Sequence, residues 1–249
     1  MVTGAGLGMS AWDMTTLAMF PHQQAPDMMP DMNTGAAAST PTWGLGAWAL
    51  MIAMWWIMMI AMMTPSAAPT ILLYARVHRH ALARGQVPDK LAPTSAFAAG
   101  YMLVWLGFST VATALHWALE RAGLVAAMMM GSRSRWLSAA VLIAAGLYQL
   151  SPLKNVCLAH CRTPASFLSR HWRPRALGAL RLGAMHGAYC VGCCWLLMAL
   201  LFVGGVMNLV WIAALAVLVL IEKALPAGQW VGRGVGVTLI GWGVATLVV

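Results

Sequence analysis

From Trp43 to Met63 the chain carries no ionisable side chain, and stretches nearly as apolar recur over about Pro93–Leu119, Gly183–Val203, Val206–Leu225 and Trp230–Val249. A helix of roughly 20 apolar residues spans about 30 Å of hydrocarbon. Only 8% of the residues are Asp, Glu, Lys or Arg, against roughly 25% in soluble domains, so a water-exposed globule would lack the polar surface to cover itself. Arg135–Leu150 supplies a shorter stretch that needs snorkelling from Arg133 and Arg135 to complete a crossing. The expected fold class is therefore all-α: a polytopic membrane helical bundle of about six transmembrane helices, with five as the fallback, and the N-terminus outside. Thr64-Pro65 reads as a breaker at the end of the first span, with a continuation from Pro69 to Tyr74 and a charged loop from Ala75.

Charge placement sets the orientation. With the N-terminal tail outside, the loops 75–92, 152–181 and 222–233 hold twelve of the fifteen Lys and Arg residues, leaving Arg121, Arg133 and Arg135 on the outer side. That bias follows the positive-inside rule. It also accounts for the formal charge of +9 without a nucleic-acid partner, for which neither an RNA-binding motif nor a phosphate-cradling glycine loop is present. The expected setting is the bacterial inner membrane, crossed several times, with the lipid bilayer as the main partner. Two regions follow: residues 1–42, an extracytoplasmic tail containing Met, His and Asp, and 43–249, the bundle, with basic cytoplasmic loops at 75–92 and 152–181. The halves share no broken-helix pattern of the kind found in inverted-repeat transporters.

All five cysteines lie between Cys157 and Cys194. Cys157 and Cys161 share one face if that segment is helical, with His160 beside them. His186, Cys190, Cys194 and Met198 recur every four residues, and Cys193 sits next to the stripe. Imidazole, thiolate and thioether select Cu(I) or, without the thioether, Zn(II). Cys157, His160, Cys161, His186, Cys190, Cys193 and Cys194 therefore form a candidate inner metal cluster, with copper as the expected ion and zinc as the alternative; the same cysteines also suit close helix packing. A second candidate site lies outside, where His116 and Glu120 stand four residues apart near Met128, Met129 and Met130 and a tail carrying Asp13, His22, Asp27 and Asp31. Haem is disfavoured, because His116 and His186 fall near opposite ends of their spans. Met51, Met54, Met58 and Met62 make a stripe that reads as a packing seam, and Glu222-Lys223 reads as an interfacial anchor. No acid–base pair, nucleophile triad or cofactor fingerprint marks an enzyme.

The run Trp55 to Pro65, the segment Tyr148 to Leu158 with Cys161-Arg162-Thr163-Pro164, and Gly192-Cys193-Cys194-Trp195 with Glu222-Lys223 together resemble a bacterial family of predicted metal-binding integral membrane proteins of unknown function. The resemblance covers about residues 43–225 and implies a membrane bundle that binds a metal. The competing reading is a non-catalytic subunit of a larger respiratory, photosynthetic or oxygenase membrane complex. Abundant small residues such as Gly204, Gly205, Gly236, Gly241 and Gly243 would promote its helix association.

Overall fold

The computed structural model describes residues 43–85, 93–125, 130–171 and 175–248. The expected tail, together with Met128 and Met129, lies outside the described residues. The described chain is helical: α1 Leu45–Ala83, α2 Pro93–Arg121, α3 Arg135–Leu150, α4 Pro152–Arg162, α5 Pro164–His171, α6 Ala176–Ala199, α7 Leu201–Gly204, α8 Leu209–Ala224 and α9 Gly228–Val248. An isolated antiparallel bridge pairs Val125 with Ser132. Four helical segments are long and apolar enough to cross a membrane: α1, α2, α6 continued by α7, and α9. The α3–α4 pair, bent by 65°, makes a fifth if it counts as one span. The expected span Val206–Leu225 corresponds to α8, whose 16 residues fall short of the roughly 20 that a perpendicular crossing needs.

The first helix departs from expectation at Pro65. Instead of breaking there, α1 runs for 39 residues in all, with Pro65 and Pro69 inside it. Each proline removes a backbone donor, and nearby hydroxyls take up carbonyls of the adjoining turns. Thr64 Oγ1 donates to the Ile60 carbonyl at 2.6 Å, while Ser66 Oγ and Tyr101 Oη both donate to Met63 O, at 2.9 and 3.3 Å. The charged segment expected as loop from Ala75 is thus helical as far as Ala83. The helix stops at Arg84 and at Gly85, whose φ of +67° is one that glycine adopts without a Cβ clash.

Two helix pairs approach so closely that only glycine fits the contact. A Cβ on Gly183 of α6 would strike the Phe97 carbonyl of α2, and one on Gly100 of α2 would strike the Leu180 carbonyl of α6. Likewise a Cβ on Gly146 of α3 would lie 2.6 Å from the Gly236 carbonyl of α9. Such small-residue crossings let backbones meet without the hydrophobic drive available in water.

The core lies among α1, α2, α3 and α6, where Trp55, Met59, Met63, Tyr101, Trp105, Leu142, Cys190, Cys194 and Met198 are buried. The α1 seam is offset from the expected methionine stripe. Trp55, Met59, Met62 and Met63 are buried, whereas Met51, Met54 and Met58 are partly exposed. The bend after α3 follows from Ser151-Pro152: Ser151 caps α4 by accepting from Lys154 N at 3.3 Å, and Pro152 occupies the first turn, where its missing N–H costs nothing. This turn aims Cys157 and Cys161 toward α6 and Lys154 toward α8.

Candidate metal centre

The helical repeat of α6 places His186, Cys190, Cys194 and Met198 on one buried face, with Cys193 buried beside them. Three other helices meet that face. Lys223 of α8 donates from Nζ to Cys190 Sγ at 2.9 Å and to Ser66 Oγ of α1 at 3.2 Å. Tyr101 of α2 brings its hydroxyl to 3.1 Å from the same sulfur. Cys194 Sγ lies 3.9 Å from Met63 Sδ of α1. Metal–sulfur bonds of about 2.3 Å set at 120° would put two sulfurs about 4 Å apart, so this pair already has the spacing of ligands on a shared ion. Cys193 and Cys194 both donate their thiol protons to the Cys190 carbonyl, at 3.1 and 2.9 Å.

From α4, Cys161 interacts with Cys193, and the Cys157 sulfur faces Gly192, where an added Cβ would lie 3.1 Å from it. Tyr148 of α3 donates its hydroxyl to the Gly192 carbonyl, tying the same turn of α6 to the α3–α4 corner. The histidines behave differently. His160 stacks on Tyr189 with ring centroids 4.3 Å apart, and its Nδ1 is engaged by the Val156 carbonyl at 2.9 Å. His186 is enclosed by the rings of Phe97, Tyr101 and Phe167. Among the described residues, no three His, Cys, Asp or Glu side chains are arranged so that they could hold one metal ion. Any soft-metal site here must therefore recruit a thioether or bind through two thiols, as Cu(I) accepts more readily than Zn(II).

Beside the sulfur cluster lies a second buried constellation. Glu222 receives Lys154 Nζ at 2.6 Å and Gln149 Nε2 at 2.7 Å, with both charged side chains 3% exposed. Of the two ways in which such end-of-span charges are accommodated, snorkelling and pairing, Glu222 takes pairing. Glu222 is buried in an ion pair, and Lys223 turns inward to sulfur. At the other end of α2, His116 is buried between Trp43 and Phe202; Glu120, one turn on, is partly exposed. His116 and His186 occupy opposite ends of the α2–α6 contact, which keeps one haem iron from reaching both.

A family model described as PpoB2, copper chaperone, matches residues 52–246. The chain belongs to that family. No curated protein and no solved structure matches. The matched span takes in every helix that carries a sulfur of the cluster, together with the buried ion pair.

Within this PpoB2-family chain, the structure groups Cys190, Cys193, Cys194 and Cys161, sets Cys157 at their edge, and leaves His160 outside them. His186 sits one turn away in an aromatic cage. Sequence reasoning missed Met63, Tyr101, Ser66 and the inward role of Lys223. Lys223 carried a legible signal, since a cation at the end of an apolar helix needs a partner. Met63 carried none, because it belongs to a methionine-rich run in which only packing selects one sulfur.

Proposed function

We propose that this protein is an integral membrane protein that handles copper, taking Cu(I) as cargo at a sulfur cluster centred on Cys190, Cys194 and Met63, with Cys193, Cys161 and Cys157 as adjoining donors. The single observation that carries the reading is the meeting of the α6 thiol Cys194 with the α1 thioether Met63, beside further thiols of α6 and α4, in a chain of the copper chaperone family. Soft, polarisable donors favour Cu(I), and a buried site of two thiolates and a neutral thioether around Cu(I) carries a net negative charge that the Lys223 ammonium offsets. Zinc is the less suited ion, because among the described residues no three Cys, His, Asp or Glu side chains are arranged to share one ion. The basic loops face the cytoplasm of the bacterial inner membrane, and the cluster lies on that side, where thiols stay reduced. A chaperone passes its cargo on, so a protein acceptor or a larger membrane complex is the expected partner.

The test is competition between the detergent-purified full chain and a chromophoric Cu(I) chelator. The wild-type chain withdraws Cu(I) from the chelator, and the Cys190→Ser/Cys194→Ser variant fails to do so. Equal withdrawal by both, or none by either, rejects the assignment.

A further inference from the structure

Six buried side-chain polar atoms among the described residues have no hydrogen-bond partner: Nε1 of Trp55 and of Trp105, Nε2 of His78, Nδ1 of His116 and of His186, and Oε1 of Gln149. Native interiors satisfy nearly all such groups, and an exception calls for a guest such as water or an ion. Five of these six belong to the same three helices, α1, α2 and α6, and two of them, Trp55 and His116, meet at the ring of Phe202 at one end of a line of contacts.

That line can be followed residue by residue. On α6 the stripe Cys190, Cys194, Met198 continues one turn further to Phe202 of α7. On α1 the antiparallel stripe runs Met63, Met59, Trp55. The registers are tied at both ends, by Cys194 Sγ to Met63 Sδ at 3.9 Å and by the Trp55 and Phe202 rings at 5.2 Å. The third wall is α2, from Tyr101, whose hydroxyl touches Cys190, to His116, whose ring lies 6.0 Å from Phe202. The fifteen-residue separation of Tyr101 and His116 corresponds to about 22 Å of helix, most of a hydrocarbon thickness of about 30 Å. Trp55, Met59, Met63, Trp105, Met198 and His116 are all buried.

We infer that Cu(I) passes between the sulfur cluster and a second station at His116 Nδ1 along this column, exchanging among the thioethers of Met63, Met59 and Met198 and crossing the faces of Trp55 and Phe202. The inference rests on the proposed Cu(I) binding at the thiols and adds a path and a terminus. Successive donors on one helix stand one turn, about 6 Å, apart. Every wall group between the two ends is neutral. Aromatic faces attract a desolvated monovalent cation, whereas the Born cost of a bare ion rises with the square of its charge, so a divalent ion pays about four times as much. The column thus discriminates by charge as well as by softness, admitting Cu(I) and Ag(I) and refusing Zn(II). The imidazole nitrogen at the far end is unpartnered and available as a ligand. No electron transfer is involved, since one ligand replaces another at constant oxidation state.

The experiment reconstitutes the full chain into vesicles loaded with a membrane-impermeant Cu(I) dye, with external Cu(I) kept reduced by ascorbate. Wild-type vesicles fill the dye at least tenfold faster than protein-free vesicles, and Ag(I) competes while Zn(II), read with an internal zinc dye, does not cross. Met59→Leu/Met198→Leu, a swap of similar volume, slows filling at least tenfold, and His116→Phe does the same. Both variants still withdraw Cu(I) from the chelator in detergent, which shows that the thiol cluster is intact. Filling by either variant at the wild-type rate overturns the column, as does passage of Zn(II) or wild-type filling no faster than empty vesicles. If the wild type binds no Cu(I) in detergent, the underlying reading has failed and the column falls with it; binding without movement removes the column alone.

Discussion

Glu222 and Lys223 are consecutive residues of α8, yet they belong to two unlike sites. Around Glu222 the chemistry is closed: the carboxylate is matched by one ammonium and one amide, both within 2.7 Å, and excluded from water. Around Lys223 it is open. One ammonium faces a hydroxyl and a sulfur, and the neighbouring thiols donate to a backbone carbonyl that gains little from them. The closed site clasps α3, α4 and α8 together. The open one holds donors with capacity to spare. Two buried polar clusters a residue apart are thus told apart by whether the buried charge meets an opposite one.

The largest effect that would break this comparison is on stability. Lys154→Met leaves Glu222 buried without its counter-charge and lowers stability by about 3–5 kcal/mol, while replacing both partners by apolar residues of similar volume recovers most of the loss. Thermal unfolding in detergent reads both. A single variant as stable as the wild type would mean that the clasp holds nothing. Next in size is the helix crossing that presents the cysteine face. Gly183→Ala drives a methyl into the Phe97 carbonyl and destabilises by about 1–3 kcal/mol, and the same melting curves decide it.

A third change sharpens the contrast. Lys223→Met removes the cation beside the sulfurs and weakens Cu(I) retention by about 10–100-fold in the chelator competition, with a smaller stability loss than Lys154→Met. Equal losses of metal affinity from the two lysine variants would erase the distinction between the sites. The smallest effect is expected at His160, whose ring is stacked on Tyr189 away from the thiols. His160→Ala leaves Cu(I) retention unchanged, and a tenfold loss there would restore it to the ligand set.

The helical class was readable because apolar runs of membrane length leave the backbone no other way to satisfy its own hydrogen bonds. The shared face was readable too, since His186, Cys190, Cys194 and Met198 fall on one side by helical period alone, and that side is buried. The continuation of α1 through Pro65 was not, because the local sequence reads as a breaker and only tertiary packing buries Ala67, Thr70, Tyr74 and His78 on the helix beyond it. Nor was the destination of Lys223. Its sequence neighbourhood fits an interfacial anchor, and only the approach of α6 to α8 gives it a sulfur to face.

What the amino-acid order determined by itself was composition and period: few charges, long apolar helices, a basic bias between them, and cysteines spaced to share a face. Both act over one or two turns of a single helix, so they need no partner to be read. Which sulfur meets which, that Met63 rather than Met62 or Met58 stands opposite Cys194, and that adjacent Glu222 and Lys223 serve separate sites, were decided by how closely the helices cross. Those distances are set by glycines such as Gly100 and Gly183 pressing against carbonyls of another helix, and contacts between segments far apart in the chain exist only once all of them have packed.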